Sequence, residues 1–131
     1  MTGYLIEVHD VIMRPDALSG ATYKIKWPEQ DHAVYITLND VVDDQGRQRP
    51  YEIFINSKGT QHYAWIIAVA RMISAVFRRG GDITFVVDEL KAVFDPAGGQ
   101  YVDGVYEPSL LALIGKVIEE HLFKIGFTDR P

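Results

Sequence analysis

A short segment between a predicted strand and a predicted helix has the residues best suited to chemistry. Its candidate anion-binding residues are Asn56, Ser57, Lys58, Gly59, Thr60 and His62. Backbone N–H groups at the start of a helix, together with a lysine, favour a phosphate or another anion. The glycine spacing of a Walker A loop is missing. A simple helix cap formed by Ser57 or Thr60 explains the same residues, so both interpretations stay open.

Neither a metal site nor a catalytic group is predicted from the remaining polar residues. The four histidines are scattered, with no pair at the i, i+4 spacing of a helical metal site, and the chain has no cysteine. Disulfides, thiolate zinc sites and thiol nucleophiles are therefore excluded. The adjacent acidic residues at 88–89 and 119–120 point apart on a helix, so they do not predict an acid–base pair.

Three arginines and two tyrosines are the candidate partner-binding residues. Arg71 interrupts an apolar helical run, Arg78 and Arg79 end it, and Tyr101 and Tyr106 lie in a glycine-rich segment. Each also has a simpler explanation. The arginines fit a solvated helix face and the negative end of the helix dipole, and loop aromatics often pack under their own loop.

The composition indicates a single domain. The chain has 131 residues, of which 47% are hydrophobic, and its net charge is -5. An acidic chain does not favour a nucleic-acid partner or an anionic membrane. No apolar run approaches the roughly 20 residues of a membrane span, and the first residues do not resemble a leader. We therefore expect a cytoplasmic protein.

Alternating apolar residues predict an antiparallel meander of three strands. Period-two patterns run through 23–27, 34–38 and 51–55. The polar stretch 39–50 is predicted to be a long hairpin connection. Residues 1–19 read as an N-terminal arm or an edge strand.

Three helices follow the strands. The first, over 61–79, is predicted to bury Ile67 and Met72 against strand residues Ile25, Ile36 and Ile55, with alanines at 64, 68 and 75 allowing close approach. A second spans 85–93 behind the possible cap Asp82. A structured loop covers 97–108, and a third helix begins after Ser109 and ends by Gly126. The predicted fold is α+β, an antiparallel sheet of three or more strands with three helices packed on one face in two layers, over 20–126, with a tail at 127–131.

Long blocks of the chain resemble a known family. They are similar to the small, split-off subunit of adenosylcobalamin-dependent (class II) ribonucleotide reductase, a TSCPD-type domain that also occurs at the C-terminal end of single-chain reductases. The blocks that carry the resemblance are 20–28, 31–37, 50–58, 71–82, 89–96 and 108–121.

The resemblance implies an accessory role. In that family the catalytic barrel, the adenosylcobalamin and the radical chemistry belong to the large subunit, so no cofactor and no catalytic residue is expected in this chain. Relatives usually end in a cysteine-bearing tail suited to dithiol transfer or zinc binding. This sequence has no cysteine and ends at Pro131, so a thiol relay is not expected here.

These observations support three hypotheses about function. The leading one is a non-catalytic accessory or modulatory domain that binds the reductase large subunit or another protein, in deoxyribonucleotide synthesis. One alternative is a stand-alone nucleotide- or phosphate-binding module. Another is a phage-borne mimic that interferes with a host protein. The sequence also allows a homo-oligomer.

Overall fold

Three antiparallel strands form a sheet, and helices cover one of its faces. The computed structural model describes residues 11–58 and 63–129. The sheet order follows the chain, and two short strands form a separate hairpin. The described elements are β1 (Ser19–Ile25), β2 (Val34–Val42), β3 (Gln48–Ser57), α1 (Tyr63–Arg78), α2 (Phe85–Lys91), β4 (Gln100–Val102), β5 (Val105–Glu107) and α3 (Leu110–Lys124). The predicted α+β class is confirmed.

The core lies between the sheet and the helices. The inward residues of the central strand, Val34, Ile36 and Leu38, have no exposed surface. Ile36 pairs with Tyr23 on one side and Ile55 on the other, which places the alternating apolar residues of all three strands on one face. Residues of all three helices meet them there, including Phe77, Leu90 and Ile118.

The connection between β2 and β3 is shorter than predicted. The prediction of a long connection over 39–50 is wrong, because β2 continues to Val42 and β3 begins at Gln48. A register shift between Asn39 and Asp40 marks a bulge in this strand pair. Bulges of this kind break a strict alternation of side chains, so the sequence pattern fades where the strands continue.

The predicted buried face of α1 is also wrong. Ile67 is 37% exposed and Met72 is 69% exposed, and the alanines at 64 and 68 are exposed as well. The helix instead turns Ile66, Ile73 and Phe77 into the core. Because α1 is apolar around most of its circumference, a 3.6-residue period fits more than one face.

A buried serine fastens α1 to the sheet. Ser74 Oγ donates a hydrogen bond to the Ile53 carbonyl at 3.2 Å and accepts one from the Ile53 N–H at 3.0 Å. Since β3 is an edge strand of the sheet, these backbone groups face away from β2. The helix therefore occupies hydrogen-bonding groups that a further strand would otherwise use.

The second half of the chain adds two packed helices and the hairpin. The helix α3 begins after Ser109 as predicted, and the Ser109 side chain caps it by accepting a hydrogen bond from the Ala112 N–H. Gly115 brings α3 close to α2, since a Cβ there would lie 2.9 Å from the Cβ of Leu90. The predicted loop over 97–108 contains β4 and β5, whose three residues each are too short for a periodic pattern.

The stability of Ile73→Ala and Met72→Ala tests the observed orientation of α1. We expect Ile73→Ala to lower the free energy of unfolding by roughly 2–5 kcal/mol, because it opens a cavity in the core. Met72→Ala, on the exposed side, should change it by less than about 0.5 kcal/mol. Chemical denaturation measures both. The reverse order of the two losses would restore the orientation predicted from the sequence.

Candidate functional site

The predicted anion-binding segment is described only in part. Asn56 and Lys58 are exposed at the end of β3. The Ser57 hydroxyl donates to the side chain of Gln30 at 3.2 Å. Gly59, Thr60 and His62 lie outside the described residues, so anion binding by this segment stays a prediction.

The predicted partner-binding residues lie on two separate elements. Arg71 and Arg79 are exposed on and just after α1, and Arg78 is half-buried near them. Tyr101 and Tyr106 belong to the β4–β5 hairpin and are 70% and 50% exposed. Their rings meet edge to face at 5.3 Å between centroids. The structure therefore does not bring the arginines and tyrosines together into one site.

The outer face of α1 carries large apolar side chains that contact no core. We define this α1 outer face by Ala64, Trp65, Ala68, Arg71 and Met72, which are all exposed. Trp65 is 74% exposed and Met72 is 69% exposed. An exposed apolar patch of this kind is typical of an interaction surface. The sequence signal was present, because a helix that is apolar on nearly all sides needs contacts on more than one side.

A hydrogen-bonded chain of three polar side chains lies between the sheet and α3. His121 Nε2 lies 2.8 Å and 3.0 Å from the two carboxylate oxygens of Asp40. Its Nδ1 lies 2.7 Å from the Tyr23 hydroxyl. A ring with its hydrogen on Nε2 alone donates to Asp40 and accepts from Tyr23, and a ring with both nitrogens protonated donates to both.

These three hydrogen-bonded side chains have a structural role. His121 and Asp40 are almost completely buried, and their polar atoms already bind each other. The three residues come from β1, β2 and α3, so the hydrogen bonds fix the position of α3 over the sheet. Sequence reasoning missed them because Asp40 and His121 are 81 positions apart in the chain.

A second polar cluster holds the segment before β1 against the sheet. Arg14 donates two hydrogen bonds of 3.1 Å to the buried carboxylate of Glu52. Asn39 donates a third, of 2.7 Å. These hydrogen bonds, with those from Arg14 contributing most, hold the pKa of Glu52 below its usual range although burial acts in the opposite direction.

The described residues contain neither a metal-binding cluster nor a helix that could span a membrane. Within 11–58 and 63–129, no three His, Cys, Asp or Glu side chains are grouped so as to hold a metal ion. None of the helices in these ranges has the length and apolar character needed to cross a membrane.

Comparison with known families agrees with the blocks of resemblance. The family model of the TSCPD domain matches residues 6–122. The chain belongs to the TSCPD domain family. This TSCPD domain is of a type found in class II ribonucleotide reductases. A comparison with curated proteins found no match, and neither did a comparison with solved structures.

In this TSCPD domain, Glu52 is expected to make stability depend on pH. Because the pKa of Glu52 is lowered in the folded state, its stabilising contribution is complete above the ordinary value of 4.5. It is lost as the pH falls through the lowered value. Unfolding by urea between about pH 7 and about pH 3 should therefore show a smaller loss of stability for Glu52→Gln than for the natural protein.

The matched control is Glu89→Gln, because Glu89 is exposed on α2. This variant should lose as much stability on acidification as the natural protein. An unchanged pH dependence in Glu52→Gln would show that the Arg14–Glu52 contact adds nothing in solution.

Proposed function

We propose that the chain is a non-catalytic accessory domain of a class II ribonucleotide reductase system. It acts by binding the large subunit through the α1 outer face. Membership of the TSCPD family supports the connection to the reductase. The exposed apolar side chains of α1 are the observation that supports binding to a protein.

Trp65 and Met72 are the expected centres of this interface. A partner that buries such side chains gains about 25 cal/mol of binding free energy for each Å² of apolar surface removed from water. Tryptophan is enriched among the residues that dominate binding energy, where it fills a dry pocket on the partner. Ala64 and Ala68 lie beside it on the helix, and their small side chains allow close approach of the partner.

The charges of α1 indicate the chemistry of the partner surface. The helix contains no aspartate or glutamate. Arg71 lies within the α1 outer face, and Arg79 follows the end of the helix. A complementary surface is an apolar groove with carboxylates at its edge, since these pair with the arginines and favour one orientation.

The absence of cysteine supports a role without catalysis. Ribonucleotide reduction draws its electrons from thiols, and this chain has none. In this proposal the large subunit binds the adenosylcobalamin and performs the reduction. The contribution of the TSCPD domain is then to affect the assembly or activity of that subunit.

Replacement of Trp65 tests the docking surface. Calorimetry with a purified class II large subunit should show binding by the natural chain. For Trp65→Ala we expect a Kd at least about tenfold weaker, a loss of about 1.4 kcal/mol or more. Ala68→Glu should weaken binding further, because it places a carboxylate in the apolar interface.

Phe94→Ala is the matched control, since Phe94 is 71% exposed and lies outside α1. It should bind as the natural chain does. Circular dichroism and urea unfolding confirm that each variant is folded. Undiminished binding by both Trp65→Ala and Ala68→Glu would exclude the α1 outer face, and no binding by the natural chain would exclude the proposed function.

A second experiment tests the absence of catalysis. The purified chain, supplied with a ribonucleotide, adenosylcobalamin and a dithiol, should form no deoxyribonucleotide, because it has no thiol of its own. Chromatography of the nucleotides measures the product. The large subunit assayed alone and with the chain provides the positive control. Turnover by the isolated chain would contradict the proposal.

A further inference from the structure

A second surface of interest contains no residue of the α1 outer face. An open cleft of about 670 Å³ lies where three connecting segments meet. They are the β2–β3 turn, the link between α1 and α2, and the residues that follow α3. Arg49, near the start of β3, is one of its lining residues.

Arg49 is a buried cation with incomplete hydrogen bonding. The residue is 8% exposed. One terminal nitrogen donates to the Gly81 carbonyl at 2.6 Å, and the guanidinium lies 5.2 Å from the centre of the Phe127 ring. Its Nε atom is buried and has no hydrogen-bond partner. Natural proteins rarely leave such a donor unsatisfied.

Among the described residues, no carboxylate lies within ion-pair distance of this cation. The ion pairs among the described residues do not include Arg49. Burial lowers the pKa of Arg49, while the negative charge of Asp43 opposes this change. A buried charge without a close ion-pair partner is costly, so an anion in the cleft would reduce a penalty that the unliganded protein bears.

The nearby aspartates are already bound within their own turns. Asp43 accepts hydrogen bonds from the N–H groups of Gln45 and Arg47. Asp82 accepts from the hydroxyl and the N–H of Thr84. These contacts lower the pKa of both carboxyl groups, so both are charged at neutral pH. Both residues line the cleft, and neither forms an ion pair with Arg49.

We propose that this cleft binds a small oxyanion, a carboxylate or a phosphate, whose oxygens accept hydrogen bonds from Arg49. The flat guanidinium matches two oxygens of such a group, and its Nε–H has no hydrogen-bond partner among the described residues. The cleft is lined by three aspartates and two arginines. A ligand with one or two negative charges therefore fits better than a triphosphate. The site is independent of the function proposed for α1.

Nuclear magnetic resonance can observe the proposed contact directly. The Arg49 Nε–H signal is followed at constant ionic strength while acetate, inorganic phosphate, a nucleoside monophosphate or a nucleoside triphosphate is added. We expect a saturable shift of this signal with acetate, phosphate or both, at concentrations up to about 50 mM. A response to acetate alone identifies a carboxylate ligand, and a response to phosphate alone identifies a phosphate ligand.

The variant Arg49→Lys keeps the charge and removes the paired donors. It should weaken binding of the responding anion at least about tenfold, measured from the backbone signals of the cleft. Arg79→Lys, an exposed arginine outside the cleft, is the control and should leave the affinity unchanged. If Arg49→Lys does not fold, the Nε–H signal of the natural protein decides.

Two outcomes would overturn the proposal. One is the absence of a saturable shift at Arg49 with either acetate or phosphate. The other is an unchanged affinity for the anion in Arg49→Lys, measured from the backbone signals of the cleft. That result would indicate general attraction of anions rather than a site. Tighter binding of the triphosphate than of the monophosphate would contradict the predicted preference for low charge.

Discussion

Burial of the inward side chains of β2 is the interaction on which the other elements depend. Val34, Ile36 and Leu38 are fully buried, and a single strand cannot exclude water from them. The flanking strands cover their sides and the helices cover their ends. The next inward position is Asp40, where a carboxylate in the same row needs a donor. His121 supplies it, so both apolar and polar contacts set the position of α3.

The sheet could be predicted from the sequence because one of its faces is wet. Because one side of each strand is buried, the alternation of apolar and polar residues around Tyr23 and Ile36 has a single structural interpretation. The face of α1 could not be predicted in the same way. Its apolar residues form a core side around Ile73 and a second side around Trp65, and a sequence pattern does not say which side meets the sheet. The wrong face of α1 was predicted because the α1 outer face, which is proposed to bind the partner, is apolar as well.

The polar clusters could not be predicted from the sequence for a different reason. His121 and Asp40 are far apart in the chain, and so are Arg49 and Phe127, and no local spacing connects such pairs. Local sequence does not distinguish Arg49 from the nearby Arg47, although Arg49 is buried and Arg47 is exposed. Burial of a charge becomes visible only when the segments around it are in place. The segment near Lys58, by contrast, could be identified as a candidate anion-binding segment because its residues are consecutive in the chain.

The hydrogen bonds of Ser74 have a consequence for how the protein avoids aggregation. An uncovered edge strand invites neighbouring molecules to add strands of their own. Ser74 occupies the outward N–H and carbonyl of Ile53, so α1 closes part of this edge. Local detachment of α1 would expose those backbone groups while β1 and β2 stayed paired. Association into extended sheets would then begin with the loosening of one helix, before the molecule as a whole had unfolded.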